Sequence, residues 1–194
     1  MTGKNACELW DSGWYRDARH SPSAFYNARP ADEVSLLVIH NISLPAGQFG
    51  LPHIEALFTG CLDCHAHPSF IELKGLEVSA HFLIRRDGEL VQFVSCDDRA
   101  WHAGVSSFEG RTNCNDFSLG IELEGTDGSL YTDAQYACLE TLTGDMMAKY
   151  PEINLGRITG HSDIAPGRKT DPGPGFDWQR YISGVESISR AEEI

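Results

Sequence analysis

No segment of this 194-residue chain is apolar for long enough to cross a bilayer, and Met1 to His20 lacks the apolar run that forms the core of a secretion signal. The expectation from these absences is a protein of the cytoplasm with no membrane partner. Basic residues are scarce as well: 15 Lys and Arg stand against 28 Asp and Glu, a formal net charge of -13. That balance argues against nucleic acid or an anionic membrane surface as main partner, and an acidic small molecule would need a local cationic patch to draw it in. Cys7 has no hydrophobic stretch before it and reads as an ordinary thiol, not a lipid attachment point. The six cysteines are expected to be free, because the cytosol is reducing.

What the chain does have is 41% hydrophobic residues, enough for one domain with a full core spanning residues 1–194. Residues 1–32 read as an irregular arm, with Pro22, Asn27 and Pro30 breaking any regular element. Ser35 to Asn41 is an unbroken apolar run ending in a polar pair, the pattern of a strand buried on both faces, and His40 emerges at its end. Pro52 to Phe58 predicts a short helix with Ile54, Leu57 and Phe58 on one side. Asp87-Gly88 between two β-rich runs predicts a hairpin with a two-residue turn, placing Phe82, Ile84, Val91 and Phe93 on one face.

After a loop from Arg99 to Asp116 that carries Trp101-His102-Ala103-Gly104, Ser118 to Gly125 alternates, with Ile121 and Leu123 pointing one way and Glu122 and Glu124 the other. A carboxylate on a core strand is costly unless it has a partner or a purpose; Glu124, nearer the strand end, reads as the solvated one of the two. Thr132 to Tyr150 predicts a long helix opened by a Thr132/Gln135 capping box, with Leu139, Leu142, Met146 and Tyr150 as its apolar stripe. A last short helix carries Trp178, Tyr181, Ile182 and Val185, and residues 187–194 form a frayed polar tail. Together these elements predict an α/β fold, a mixed central β-sheet flanked by helices.

The chemistry concentrates after Thr159. Six of the ten residues from Pro166 to Gly175 are Pro or Gly, which excludes helix and stiffens a loop that carries Lys169 and Asp171 just after His161. If His40 meets this loop at one sheet edge, then His40, His161 and Asp171 offer two nitrogens and one oxygen, a set suited to a catalytic zinc that keeps a fourth position open. Glu122 and Lys169 would flank it, the carboxylate to take a proton and the ammonium to steady an oxyanion. Cys61 to His67 matches a haem c attachment pattern and half of a zinc site in isolation. Both readings are set aside: haem c attachment needs export, and a closed zinc site needs four well-spaced ligands. Asn41, beside a zinc ligand, and Arg111 are candidate substrate contacts, Arg111 as a cation for an acidic substrate.

Five stretches in order carry a resemblance: Val38 to Pro45, Ser79-Ala80-His81 with Arg86-Asp87-Gly88, Trp101 to Ser106, Gly120 to Asp127, and Gly160-His161 through Pro174. Together they resemble the AmpD group of N-acetylmuramoyl-L-alanine amidases, from about Gly13 to Trp178. The resemblance implies the fold of phage-type amidases and peptidoglycan recognition proteins. It also implies zinc on His40, His161 and Asp171, with Glu122 and Lys169 as the catalytic pair. The implied reaction cleaves the amide between the lactyl group of 1,6-anhydro-N-acetylmuramic acid and L-alanine, in cytoplasmic recycling of cell-wall fragments, and so lowers the muropeptides that induce β-lactamase. A small anhydro-muropeptide is then the partner, and a monomer is expected. The alternatives are a non-catalytic peptidoglycan-fragment-binding protein and an exported amidase acting on the intact wall. The Cys61 to His67 loop is the stretch where the chain departs from the group's pattern.

Overall fold

Leu36, Leu37, Val38 and Ile39 are fully buried, and a run that is apolar on both faces can be covered only within a sheet that is itself covered on both sides. The computed structural model describes residues 6–192. In chain order its first elements are α1 (Ala6–Leu9), β1 (Trp10–Asp11), β2 (Trp14–Tyr15), β3 (Arg19–His20), β4 (Tyr26–Ala28), β5 (Leu36–Ile42) and α2 (His53–Phe58). Then come β6 (Phe82–Ile84), β7 (Leu90–Gln92), β8 (Asp98–Ala100), β9 (Ser107–Phe108), β10 (Arg111–Thr112) and β11 (Ser118–Glu124). The chain closes with α3 (Asp133–Lys149), β12 (Ile158–Gly160), α4 (His161–Ile164) and α5 (Trp178–Glu192).

The central sheet has the order β12-β5-β11-β6-β7-β3. The strands β12, β5, β11 and β6 run parallel, β7 is antiparallel to β6, and β3 lies parallel to β7, so the sheet is mixed as the sequence predicts. Leu37 and Ile39, Leu119, Ile121 and Leu123, and Phe82 and Ile84 pack against Leu139, Leu142 and Met146 of α3 and Tyr181 and Val185 of α5. Each such fully buried side chain stabilises the fold by roughly 1.5–3 kcal/mol. The other face packs Leu83, Val91 and Phe93 against Ile54, Leu57 and Phe58 of α2, and Leu36 and Val38 against Phe117 and Ile164. His40 continues the alternation of Leu36 and Val38, and the ladder pairs it with Glu122. Both therefore emerge on the same face, toward the C-terminal ends of parallel strands, where open α/β sheets display their functional groups.

The structure corrects four expectations. The Asp-Gly hairpin has a three-residue connection: Arg85 and Glu89 are joined by a 2.9 Å backbone hydrogen bond, and Gly88 takes the left-handed position at φ 89. The second strand is thereby shifted by one residue, so Leu83 faces Val91 and Phe82 faces Gln92, and Val91 and Phe93 lie opposite the face expected. The arm over residues 1–32 is not irregular where it is described, because β3 adds to the central sheet on β7 and β4 pairs with β8. The stretch from Arg99 to Asp116, read as a loop, contains the β9–β10 pair. The tail from Ser187 stays helical to Glu192, and a Cβ on Gly144 of α3 would stand 3.0 Å from Ile188 Cγ2, which shows how closely the two helices approach. The capping box of α3 forms as expected, with Thr132 accepting from Gln135 N and the Gln135 side chain returning to Thr132 N.

Candidate metal centre

The end of β5 delivers His40, the end of β12 delivers His161 as the first residue of α4, and the Pro/Gly-rich loop brings Asp171 back to both. His40 Nδ1 lies 2.9 Å from His161 Nδ1, and each of these nitrogens lies 3.1 Å from Asp171 Oδ2. Among the described residues this is the group of His, Cys, Asp and Glu that can hold a metal ion, with ligand atoms all within 4.8 Å of one another. The outer nitrogens have partners of their own: His161 Nε2 is 3.0 Å from the Ala103 carbonyl, and His40 Nε2 is 2.9 Å from His102 Nδ1. A carbonyl can only accept, so His161 Nε2 carries the proton and its Nδ1 turns a lone pair inward. A lone pair, a carboxylate oxygen and a second imidazole nitrogen crowded at these distances repel unless a proton or a cation lies among them.

Electrostatics agree with that donor set. Burial pushes the His40 imidazole down to about 4, against the opposing pull of the Asp171 carboxylate, so it is neutral at pH 7. Burial alone would raise Asp171, yet the adjoining His161 and His40 imidazoles outweigh that and hold the carboxyl well below the usual range. Glu122 shifts the opposite way: burial, reinforced by the Asp171 charge, raises it well above the ordinary carboxylate value, and Lys169 opposes the rise. Its Oε2 is buried without a hydrogen-bond partner, which makes Glu122 a candidate functional group beside the three converging side chains. The Lys169 side chain is exposed beside this edge, its backbone N–H bonded to Ala165 O at 3.1 Å.

The remaining predicted residues divide. Asn41 donates to Asp127 Oδ1 at 2.8 Å and to the Pro172 carbonyl at 3.1 Å, where Tyr131 Oη also donates at 3.0 Å; it thus ties down the loop that carries Asp171. It also borders a cavity of about 450 Å³ with Ser43, Ala46 and Gly125 to Gly128. Arg111 is placed elsewhere, paired with Glu33 at 2.7 Å, stacked 3.9 Å over Phe117, and lining a cavity of about 510 Å³ with Phe108, Glu109 and Arg157. Arg168, not singled out by sequence reasoning, is a second cation beside this group, donating to the carbonyls of Ala103 at 2.6 Å and Val105 at 2.7 Å. Glu124 is also corrected: it is not solvated but 1% exposed, accepting from Gly50 N at 2.7 Å, Arg86 N at 3.2 Å and Arg85 Nη1 at 3.4 Å. The Cys61 and Cys64 thiols donate to the carbonyls of Thr59 and Leu62, and the Cys7 side chain lies outside the described residues.

The sequence model of the N-acetylmuramoyl-L-alanine amidase family matches residues 30–174. Over 185 residues, 95% of this chain and 98% of the relative, the chain is 59% identical to the 1,6-anhydro-N-acetylmuramyl-L-alanine amidase AmpD of Citrobacter freundii. A crystal structure of a selenomethionine AmpD derivative superposes with a TM-score of 0.89 at 60% identity, covering 91% of this chain and 99% of that one. The Escherichia coli amidase AmiD, solved with the substrate anhydro-N-acetylmuramic acid-L-Ala-D-gamma-Glu-L-Lys, gives a TM-score of 0.59 at 30% identity over 81% of this chain and 60% of that one.

Proposed function

The chain belongs to the N-acetylmuramoyl-L-alanine amidase family, and on that premise we propose that it is a zinc-dependent hydrolase of soluble 1,6-anhydro-muropeptides. It cuts the amide between the lactyl group of the anhydro-sugar and L-alanine. Its place is the cytoplasm, where it recycles cell-wall fragments and lowers the level of those that induce β-lactamase. The observation that carries this reading is the inward convergence of His40 Nδ1, His161 Nδ1 and Asp171 Oδ2, with both outer imidazole nitrogens engaged by protein partners. Two nitrogens and one oxygen fit zinc, which supplies Lewis acidity and lowers the pKa of water toward about 7.

The residues around that group divide the remaining work. Glu122, with its unpartnered Oε2, takes the proton of the attacking water and returns it to the departing nitrogen of L-alanine. The Lys169 ammonium faces the charge that develops on the carbonyl oxygen. Asn41 keeps the Asp171 loop in register through Pro172 and contributes to the wall along which the peptide lies.

Release of L-alanine peptide from a defined anhydro-muropeptide and from intact sacculi, measured side by side with metal content, tests the proposal. One zinc per chain and a strong preference for the soluble substrate are expected, with both properties kept in Cys61→Ser and Cys64→Ser. Equal rates on sacculi would point to an amidase of the intact wall, and zinc lost with the cysteines would move the metal site.

A further inference from the structure

Both imidazoles of the metal group are held from behind by adjacent residues of one segment. His102 Nδ1 meets His40 Nε2 at 2.9 Å, and the Ala103 carbonyl meets His161 Nε2 at 3.0 Å. The segment is fixed by a buried amide: Asn115 Oδ1 accepts from His102 N at 3.1 Å and from Ala103 N at 2.8 Å. The far nitrogen of the His102 ring, Nε2, lies 3.2 Å from Ser118 Oγ. Its ring stands edge-on to His40, with centroids 5.0 Å apart and planes at 89°.

The strand beneath is shaped to receive that ring. A Cβ on Gly120 would fall 2.5 Å from His102 Cγ and 2.6 Å from Nδ1, so the ring occupies the space that any other residue would fill. Ser118 and Gly120 precede Glu122 on the same face of β11, so the strand that carries the proposed proton acceptor also seats the ring that buttresses His40.

From this geometry we infer that His102 is a positioning residue of the metal centre: by accepting a hydrogen bond from His40 Nε2–H it holds the His40 Nδ1 lone pair on the point it shares with His161 and Asp171. The direction of the bond follows from the donor set. If His40 Nδ1 is to offer a lone pair, its proton sits on Nε2 and points at His102 Nδ1, and His102 then donates from its own Nε2 to Ser118 Oγ. Without the acceptor, His40 is free to change tautomer or to tilt, and the three ligand atoms no longer converge. Outer partners of this kind are worth about 10–100-fold in metal affinity.

This inference rests on the zinc reading of the His40, His161 and Asp171 group, and the test separates the two. Zinc affinity is measured by competition with a chromogenic chelator for the full-length parent, His102→Phe and His102→Asn. The circular dichroism melt of each metal-free protein serves as the check on folding. Phe keeps the ring's volume over Gly120 but has no acceptor, while Asn places an amide oxygen near the position of Nδ1. The expected result is zinc held about 10–100-fold more weakly by His102→Phe and restored to within about three-fold of the parent by His102→Asn. Equal affinity in parent and His102→Phe overturns the inference and leaves the zinc reading standing. Equal weakening in both variants overturns it too, since the effect then lies in packing and not in the acceptor. A parent that takes up no zinc overturns both readings.

Discussion

Glu122 and Glu124 are the same residue type, two positions apart on the same face of the same strand, and their surroundings are opposite in kind. Glu124 is the more buried, yet both its oxygens are engaged, one by Gly50 N and Arg85 and the other by Arg86 N. Arg85 extends that contact to Glu55 at 2.6 Å, and Arg19 joins Glu55 to Glu89. Glu122 has Lys169 as its opposing charge and the Asp171 carboxylate as its neighbour, and its Oε2 has no hydrogen-bond partner. Burial with a full set of partners makes Glu124 a clamp, and burial without them raises the Glu122 carboxyl, as the proposed proton-handling role requires.

The largest change is expected when the charge beside Glu122 is removed together with a ligand. Asp171→Ala should weaken zinc binding by more than about 100-fold, beyond the loss of any outer partner, and abolish turnover, as read by metal analysis and peptide release. The Glu124 network should be untouched by that change, so the melting curve of the metal-free variant should stay near the parent's. A loss of fold in Asp171→Ala would break the separation between the two glutamates.

Next in size is Glu124→Gln. Gln keeps the volume and one acceptor but loses the charge that Arg85 and two backbone N–H groups address, so unfolding in urea should show a loss of about 1–3 kcal/mol. Turnover of the folded variant, measured well below its midpoint, should stay close to the parent's. A fall in turnover without loss of stability would transfer the proton-handling role to Glu124.

The smallest effect concerns the acid limb of the same network. Hydrogen bonds from Arg19, with burial opposing them and Arg85 adding to them, hold Glu55 down to about 2 from an ordinary value of 4.5. Because its folded pKa is depressed, Glu55 contributes stability that is fully present above about pH 4.5 and is lost as pH falls toward about 2. The gap in melting temperature between parent and Glu55→Gln should therefore be constant near neutrality and close on acidification. A gap that widens in acid would contradict the assigned pairing.

The sequence made the convergence of His40, His161 and Asp171 legible because each of these residues sits where a simple pattern ends. His40 closes an apolar run, His161 follows a short β-favouring segment, and Asp171 lies in a stretch that Pro and Gly keep out of helix. Glu124 was misread because its partners come from Gly50, Arg85 and Arg86, each remote in sequence, and strand position alone does not reveal them. The hairpin register was missed because Asp-Gly serves a two-residue turn and a three-residue connection alike, and the extra residue turns over the whole second strand. The arm's strands are two or three residues long, too short for alternation to show. His102 was visible only as part of a Trp-His-Ala-Gly motif, and its role depends on a ring lying over Gly120, eighteen residues on in the chain.

The contrast between the two glutamates is tested most directly by single-turnover peptide release from an anhydro-muropeptide with Glu122→Gln, with zinc measured in the same sample. The amide keeps the side chain's size but cannot take up the proton, so zinc should be retained at one per chain while the rate falls by about 10²–10⁴-fold. A rate near the parent's with zinc fully bound would contradict the assignment of Glu122 as the group that moves the proton.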